Sequence, residues 1–132
     1  MHPNEELARR ELATLEAGDM ESLRGMYTDD FVLHYPGRSP LAGDHRNFPE
    51  FLGKVGSLIG KDGKVTRELH DALGNDDHAV QLLRVTARAS GREHSWNGVI
   101  VLHIRGGKIA EAWVHVADQY ALDEFLTSLA TG

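Results

Sequence analysis

The sequence predicts an α+β domain, a curled antiparallel sheet with helices packed on one face. Three observations carry that prediction. Segments near both ends place apolar residues at a 3.6-residue spacing, the mark of amphipathic helices. Residues 64–117 switch to a two-residue period, interrupted by short joints rich in glycine, asparagine and aspartate. Two strands of that meander, 78–90 and 93–105, are long enough to span about 40 Å each, and sheets of that length twist and curl. A curved sheet facing helices leaves a conical pocket between the two layers.

Each element has its own signal. In the first helix Asn4 is the expected cap, and Glu5 and Glu6 suit the positive end of the dipole. Leu7, Ala8, Leu12 and Leu15 form its apolar stripe, and Gly18 ends it. Asp19 caps a second short helix running through Leu23 to Tyr27. Phe31 to Tyr35 is a short strand, stopped by Pro36-Gly37. Asn47 caps a third helix with Pro49 in its first turn, and Phe48, Phe51, Leu52, Val55 and Leu58 give its apolar face.

The meander then reads as strands at 64–73, 78–90, 93–105 and 108–117. Its joints are Gly74-Asn75-Asp76-Asp77, Ser90-Gly91-Arg92 and Gly106-Gly107. A short closing helix starts at about Gln119, with Leu122, Phe125, Leu126 and Leu129 on one face.

Composition bounds the function. The 132 residues fit one domain, 1–132, with 41% hydrophobic and 26% charged side chains. A net charge of −6 argues against nucleic acid and anionic membrane as partners, since both require a basic face. Without cysteine there is neither a disulfide framework nor a thiol nucleophile. No run approaches a membrane span, and the polar start MHPNEE does not read as a signal peptide, so the expected setting is the cytoplasm. The eight histidines show no compact ligand spacing, so no metal is expected. GKDGK at 60–64 has the spacing of neither a phosphate loop nor a dinucleotide fingerprint.

Glu11 stands out from this background. It falls inside the apolar stripe between Leu7 and Leu15. Two readings are open: a pocket carboxyl with raised pKa, usable as general acid or base, or a glutamate at the stripe's edge whose head reaches water. His34 and Tyr35 are neighbours on a strand and so point to opposite faces. Either His34 transfers a proton near neutral pH or it is a hydrogen-bonded structural imidazole. On the second long strand Gln81, Leu83, Val85 and Ala87 share a face suited to a mainly apolar pocket wall, with Gln81 as its polar handle.

Three stretches carry a family likeness: EAGDMESLRGMYTDDFVLHYPGRSPLAGDHR near the start, RGGKIAEAWVHVADQYALDEF near the end, and the helix and meander between them. Together they resemble the nuclear transport factor 2-like superfamily, and within it the SnoaL-like branch that includes polyketide cyclases and ketosteroid isomerase. The resemblance implies a cone-shaped α+β fold with three N-terminal helices, usually a homodimer through the sheet, with a pocket at the wide end. It also implies enzymes that work through a pocket carboxylate and hydrogen-bond donors, without a cofactor, on small apolar or polyketide-like molecules. The fold hosts binders and association domains as well, so the likeness alone does not fix an activity.

Carried over position by position, the isomerase roles are not filled. Glu11 stands where the first-helix tyrosine donor would be, Tyr35 where the aspartate base would be, and Val99 or Ile100 where the second donor would be. Steroid isomerisation by that mechanism is therefore not expected. The comparison does turn Tyr27 and Tyr35 inward, either as pocket hydroxyls or as amphipathic core aromatics. It also draws attention to Asp118, because the cyclases use an aspartate soon after the tryptophan of this strand as base. Here Asp118 follows Trp113 by five positions, so a bulge would be needed to bring both to one face; otherwise Asp118 caps the closing helix, the reading favoured here.

The expected catalytic candidates are thus Glu11, Tyr35, His34 and Asp118, and the expected lining is Tyr27, Phe51, Gln81, Leu83 and Trp113. The expected chemistry is cofactor-free isomerisation, cyclisation or hydration of a small carbonyl compound. Its rivals are a binding protein with the same pocket and a dimeric association domain.

Overall fold

A computed structural model describes residues 1–131. The elements are α1 (Pro3–Ala17), α2 (Met20–Arg24), β1 (Tyr27–Tyr35), β2 (Gly43–His45), α3 (Phe48–Ile59), β3 (Lys64–Gly74), β4 (His78–Ala89), β5 (Arg92–Arg105), β6 (Lys108–Val116) and α4 (Gln119–Thr131). Among the described residues, no helix is long and apolar enough to cross a membrane.

The six strands form one curved, unclosed sheet in the order β2-β1-β6-β5-β4-β3. All neighbours are antiparallel except β1 and β6, which run parallel. A parallel pair needs a long crossover rather than a hairpin, and here α3 and the meander provide it. The β4–β5 joint turns on Ser90 (φ 53°) and Gly91 (φ 75°), and the β5–β6 joint on Gly106 (φ 61°) and Gly107 (φ 76°). Positive φ at both central residues is the requirement of a tight hairpin turn that matches strand twist. Those turns fix the pairing that puts Gln81 opposite Ile100 and Ile100 opposite Val114.

Helix ends follow local chemistry with one correction. Asp19 accepts a hydrogen bond from the Ser22 N–H, and Asn47 from the Glu50 N–H, as expected of caps. Gly18 closes α1 in the left-handed conformation at φ 74°. Asn4 does not cap α1. His2 does, its Nδ1 accepting from the Asn4 N–H at 3.0 Å, with Pro3 in the first turn. Asn4 is buried, and its amide donates to the carbonyls of Asn75 (2.8 Å) and Asp76 (3.2 Å), tying α1 to the β3–β4 turn.

Two further departures occur near the start of the sheet. β1 begins at Tyr27, which the sequence pattern had assigned to α2, and the short β2 within the Pro/Gly-rich crossover had no signal. In both places turn-forming residues mask extended backbone. Pairing of Leu33 with His45 and of Tyr35 with Gly43 gives β2 its register.

The core lies between the inner sheet face and the helices. Leu7, Ala8, Leu23, Phe31, Leu33, Phe51, Leu102, Ile109, Ala112, Leu122 and Leu126 are buried in one cluster. The closing helix is seated through the β1–α3 crossover. Gly37, at φ 93°, lies so close beneath α4 that a Cβ there would meet Asp123 Oδ1 at 2.2 Å. Asp123 in turn accepts from the Arg38 N–H at 3.1 Å.

Candidate functional site

Between the helices and the inner sheet face lies a cavity of about 120 Å³. Its wall is mainly apolar: Leu12 and Leu15 from α1, Phe48, Phe51 and Val55 from α3, Leu83 and Val85 from β4, Ile100 from β5 and Leu126 from α4 contribute. Tyr27 packs on Phe31 (ring centroids 4.7 Å apart) and Phe48 (5.2 Å), and Tyr35 packs on Phe51 (5.3 Å). These aromatic contacts fix the two phenol rings, since tilted pairs at such separations are favourable.

The polar content of the wall is small and converges on Glu11, which is 7% exposed. The Tyr27 hydroxyl donates to Glu11 Oε2 at 2.6 Å, and Gln81 Nε2 donates to Oε1 at 3.0 Å. Gln81 is itself held by its second amide proton, which goes to the Ala8 carbonyl at 2.8 Å. Helix α1 therefore supplies the carboxyl, β1 the phenol and β4 the amide.

Burial raises the pKa of Glu11 because the ionised form loses its hydration; the bonds from Tyr27 and Gln81 and the charge of Arg67 oppose this only in part. Tyr27 is pushed up by burial and by the neighbouring Glu11 charge, so its proton stays on oxygen. Burial pushes Tyr35 up to about 12, and its hydroxyl has no hydrogen-bond partner among the described residues. Glu11 is the one carboxyl group among the described residues that line this cavity.

The candidates divide by face. Tyr27, Phe51, Gln81 and Leu83 line the cavity, as do Glu11 and Tyr35. Trp113 does not, which corrects the expectation. On β6 the inner positions are Ala112 and Val114, so the pleat sends Trp113 to the outer face. The irregularity in β6 pairing falls before Glu111, too early to reunite Trp113 with Asp118.

His34 is likewise on the outer face. Its ring stacks on Trp113 (5.7 Å), with Nδ1 2.7 Å from Asp44 Oδ1 and Nε2 2.5 Å from Glu111 Oε2. Those two carboxylates, Glu111 first, raise its pKa, and the ring ties β1 to β2 and β6 on the face away from the cavity. Asp118 is exposed and accepts from the Ala121 N–H at 3.1 Å, capping α4 away from the cavity. His45 is buried and donates through Nε2 to the Leu41 carbonyl at 2.7 Å. Among the described residues no group of three or more histidine, aspartate or glutamate side chains is arranged to hold a metal ion.

Sequence reasoning missed Arg67, which lines the cavity from β3. The signal was present: Val65, Arg67 and Leu69 share one face of the strand, so an arginine interrupts an apolar register.

Comparison with known proteins agrees with this architecture. The family model described as a SnoaL-like domain matches residues 8–112. An uncharacterized protein of Mycobacterium tuberculosis is 28% identical over 122 residues, covering 91% of this chain and 93% of its own. Among solved structures, Bal32a from a soil-derived mobile gene cassette superposes with a TM-score of 0.84 at 31% identity, covering 94% of this chain and 96% of that one. TerC, crystallised with polyporic acid, shares the fold with a TM-score of 0.82 at 19% identity over 95% and 98% of the two chains. With the family match spanning most of its length and the same fold in those neighbours, the chain belongs to the SnoaL-like family.

Proposed function

We propose that the cavity takes up a small carbonyl compound and that Glu11 moves a proton on it without a cofactor. One observation carries this reading: a carboxyl group with raised pKa sits inside an otherwise apolar cavity, its two oxygens fixed by Tyr27 and Gln81. Ionised Glu11 would take a proton from the carbon next to the carbonyl. The C–H electron pair then forms a C=C bond, and the carbonyl oxygen becomes an enolate oxygen. The Tyr35 hydroxyl, free of protein partners among the described residues, is suited to donate to that oxygen. Return of the proton from Glu11 to a different carbon completes an isomerisation and regenerates the base.

The test is hydrogen–deuterium exchange at the α-carbon. Cyclic ketones, enones and aryl keto acids are incubated with the protein in D2O and followed by NMR. The wild type is expected to accelerate exchange of at least one, and Glu11→Gln to lose that acceleration by roughly 10²-fold or more. Acceleration that survives Glu11→Gln rules the assignment out.

A second reading is favoured by the pairing of Glu11. Both oxygens already accept from the protein, as in a binding cavity with no turnover. Native mass spectrometry separates the two, because a small molecule retained and released unaltered supports binding alone. For either reading we propose a homodimer through the outer sheet face.

A further inference from the structure

Arg67 is the one basic residue that lines the cavity among the described residues. It occupies an inner position of β3, opposite Val85 and between Val65 and Leu69. A guanidinium placed among apolar residues is costly to desolvate unless something holds it. Glu16, at the C-terminal end of α1, holds the residue at two points, the guanidinium at one of them. Its Oε2 accepts from the Arg67 backbone N–H at 3.1 Å and its Oε1 from Nη1 at 3.1 Å.

That clamp uses one nitrogen of the guanidinium. Nε and Nη2 donate to no group among the described residues. The side chain is 20% exposed, whereas Glu11 is enclosed, so the cation stands nearer to solvent than the carboxyl. Its charge is nevertheless felt by Glu11, Tyr27 and Tyr35 alike.

We propose that Arg67 is the anchor for a carboxylate, so that the ligand of this cavity is a small apolar carboxylic acid whose hydrocarbon body occupies the space lined by Tyr35, Phe51 and Leu83. The planar donors of arginine match the two oxygens of a carboxylate, and a guanidinium pre-oriented by Glu16 loses little freedom on binding. The cavity volume of about 120 Å³ is near the scale of the apolar void of roughly 150 Å³ that accepts benzene elsewhere, which suits a single ring. The inference rests on the ligand cavity of the proposed function and adds the class of acid it selects.

The experiment compares matched pairs, benzoate with benzamide and trans-cinnamate with cinnamamide, by calorimetry. In at least one pair the carboxylate is expected to bind roughly tenfold or more tightly than the amide. Arg67→Gln should abolish the preference while amide binding persists, and Arg67→Lys should retain part of it. Circular dichroism checks that each variant is folded. Should Arg67→Gln not fold, the Lys variant and the wild-type ratio still decide.

Equal affinities within both pairs, no binding by either carboxylate, or a preference unchanged in the substituted protein overturns the proposal. Glu11-dependent proton exchange without carboxylate preference removes only this inference. The preference without exchange removes only the catalytic reading.

Discussion

A carboxyl group enclosed by Leu12, Tyr27 and Gln81 has exchanged bulk water for two protein donors, and burial still dominates its titration. The sign of the consequence for stability is fixed. With its folded pKa raised, Glu11 binds more protons in the native state than in the unfolded chain between the two pKa values. Native stability therefore falls as pH rises from the ordinary carboxylate range through the raised value, and the loss is complete above it. Glu11→Gln removes that slope because the amide carries no charge; its oxygen still accepts from Tyr27, while its NH2 faces the Gln81 amide protons at a cost that does not change with pH. Urea unfolding should show the variant gaining stability relative to wild type between pH 4 and pH 8; a difference that stays constant, or shifts towards the wild type, would show that the folded-state pKa of Glu11 is not raised. Glu11 was legible in the sequence because a helical wheel depends on spacing alone. Its partners were less so. Gln81 could be turned inward by strand alternation and Tyr27 by the family resemblance, but convergence on one carboxyl depends on how α1 lies across β4. Arg67 escaped because the faces of β3 had to be sorted before its position became unusual.

The docking of α1 against the sheet shows why some element boundaries were readable and others were not. Asn4 has the chemistry of a cap, and local preference alone assigns it that role. Packing overrides the assignment, since the Asn75 and Asp76 carbonyls claim its amide, and the His2 imidazole takes over at the helix end. The same contact explains Gly74. A Cβ at this position would lie 2.4 Å from the Glu5 backbone nitrogen and 2.9 Å from its Cα, with no flexible side chain to yield. Gly74→Ala should cost about 1–3 kcal/mol in chemical denaturation through overpacking, while Gly53→Ala, where no atom lies near the added methyl, should not destabilise. Equal stability of the Gly74 variant and the wild type would mean that α1 shifts freely on β3. The meander was readable at nearly every joint because glycine, asparagine and aspartate mark tight turns by their own conformational preferences. β2 was not, since three residues paired by β1 carry no pattern of their own.

On the scale of the whole molecule, the sheet has two faces of different use. The inner face is spent on the core and cavity. The outer face carries a row of half-buried apolar residues, Val80 opposite Val101 and Val101 opposite Trp113, with Leu82 opposite Val99 beside it. Charged groups border this patch, including His34 between Asp44 and Glu111 and the exposed Arg84. An apolar centre with a polar rim is the composition of a protein–protein interface, and a two-fold pair would bury the same patch from both copies. The proposed homodimer uses this surface. Val101, at the centre of the row, is the position to test, because a glutamate there would bring two like charges together across the dyad and leave them desolvated. Light scattering on the gel-filtered protein should give twice the chain mass for the wild type and a single chain mass for Val101→Glu, with unchanged far-ultraviolet circular dichroism. A wild type that runs as a single chain at micromolar concentration, or a Val101→Glu variant that remains paired, would place the contact elsewhere or nowhere. The cavity faces away from this surface, so dissociation should leave the Arg67-dependent preference for carboxylates intact, which makes the two measurements independent.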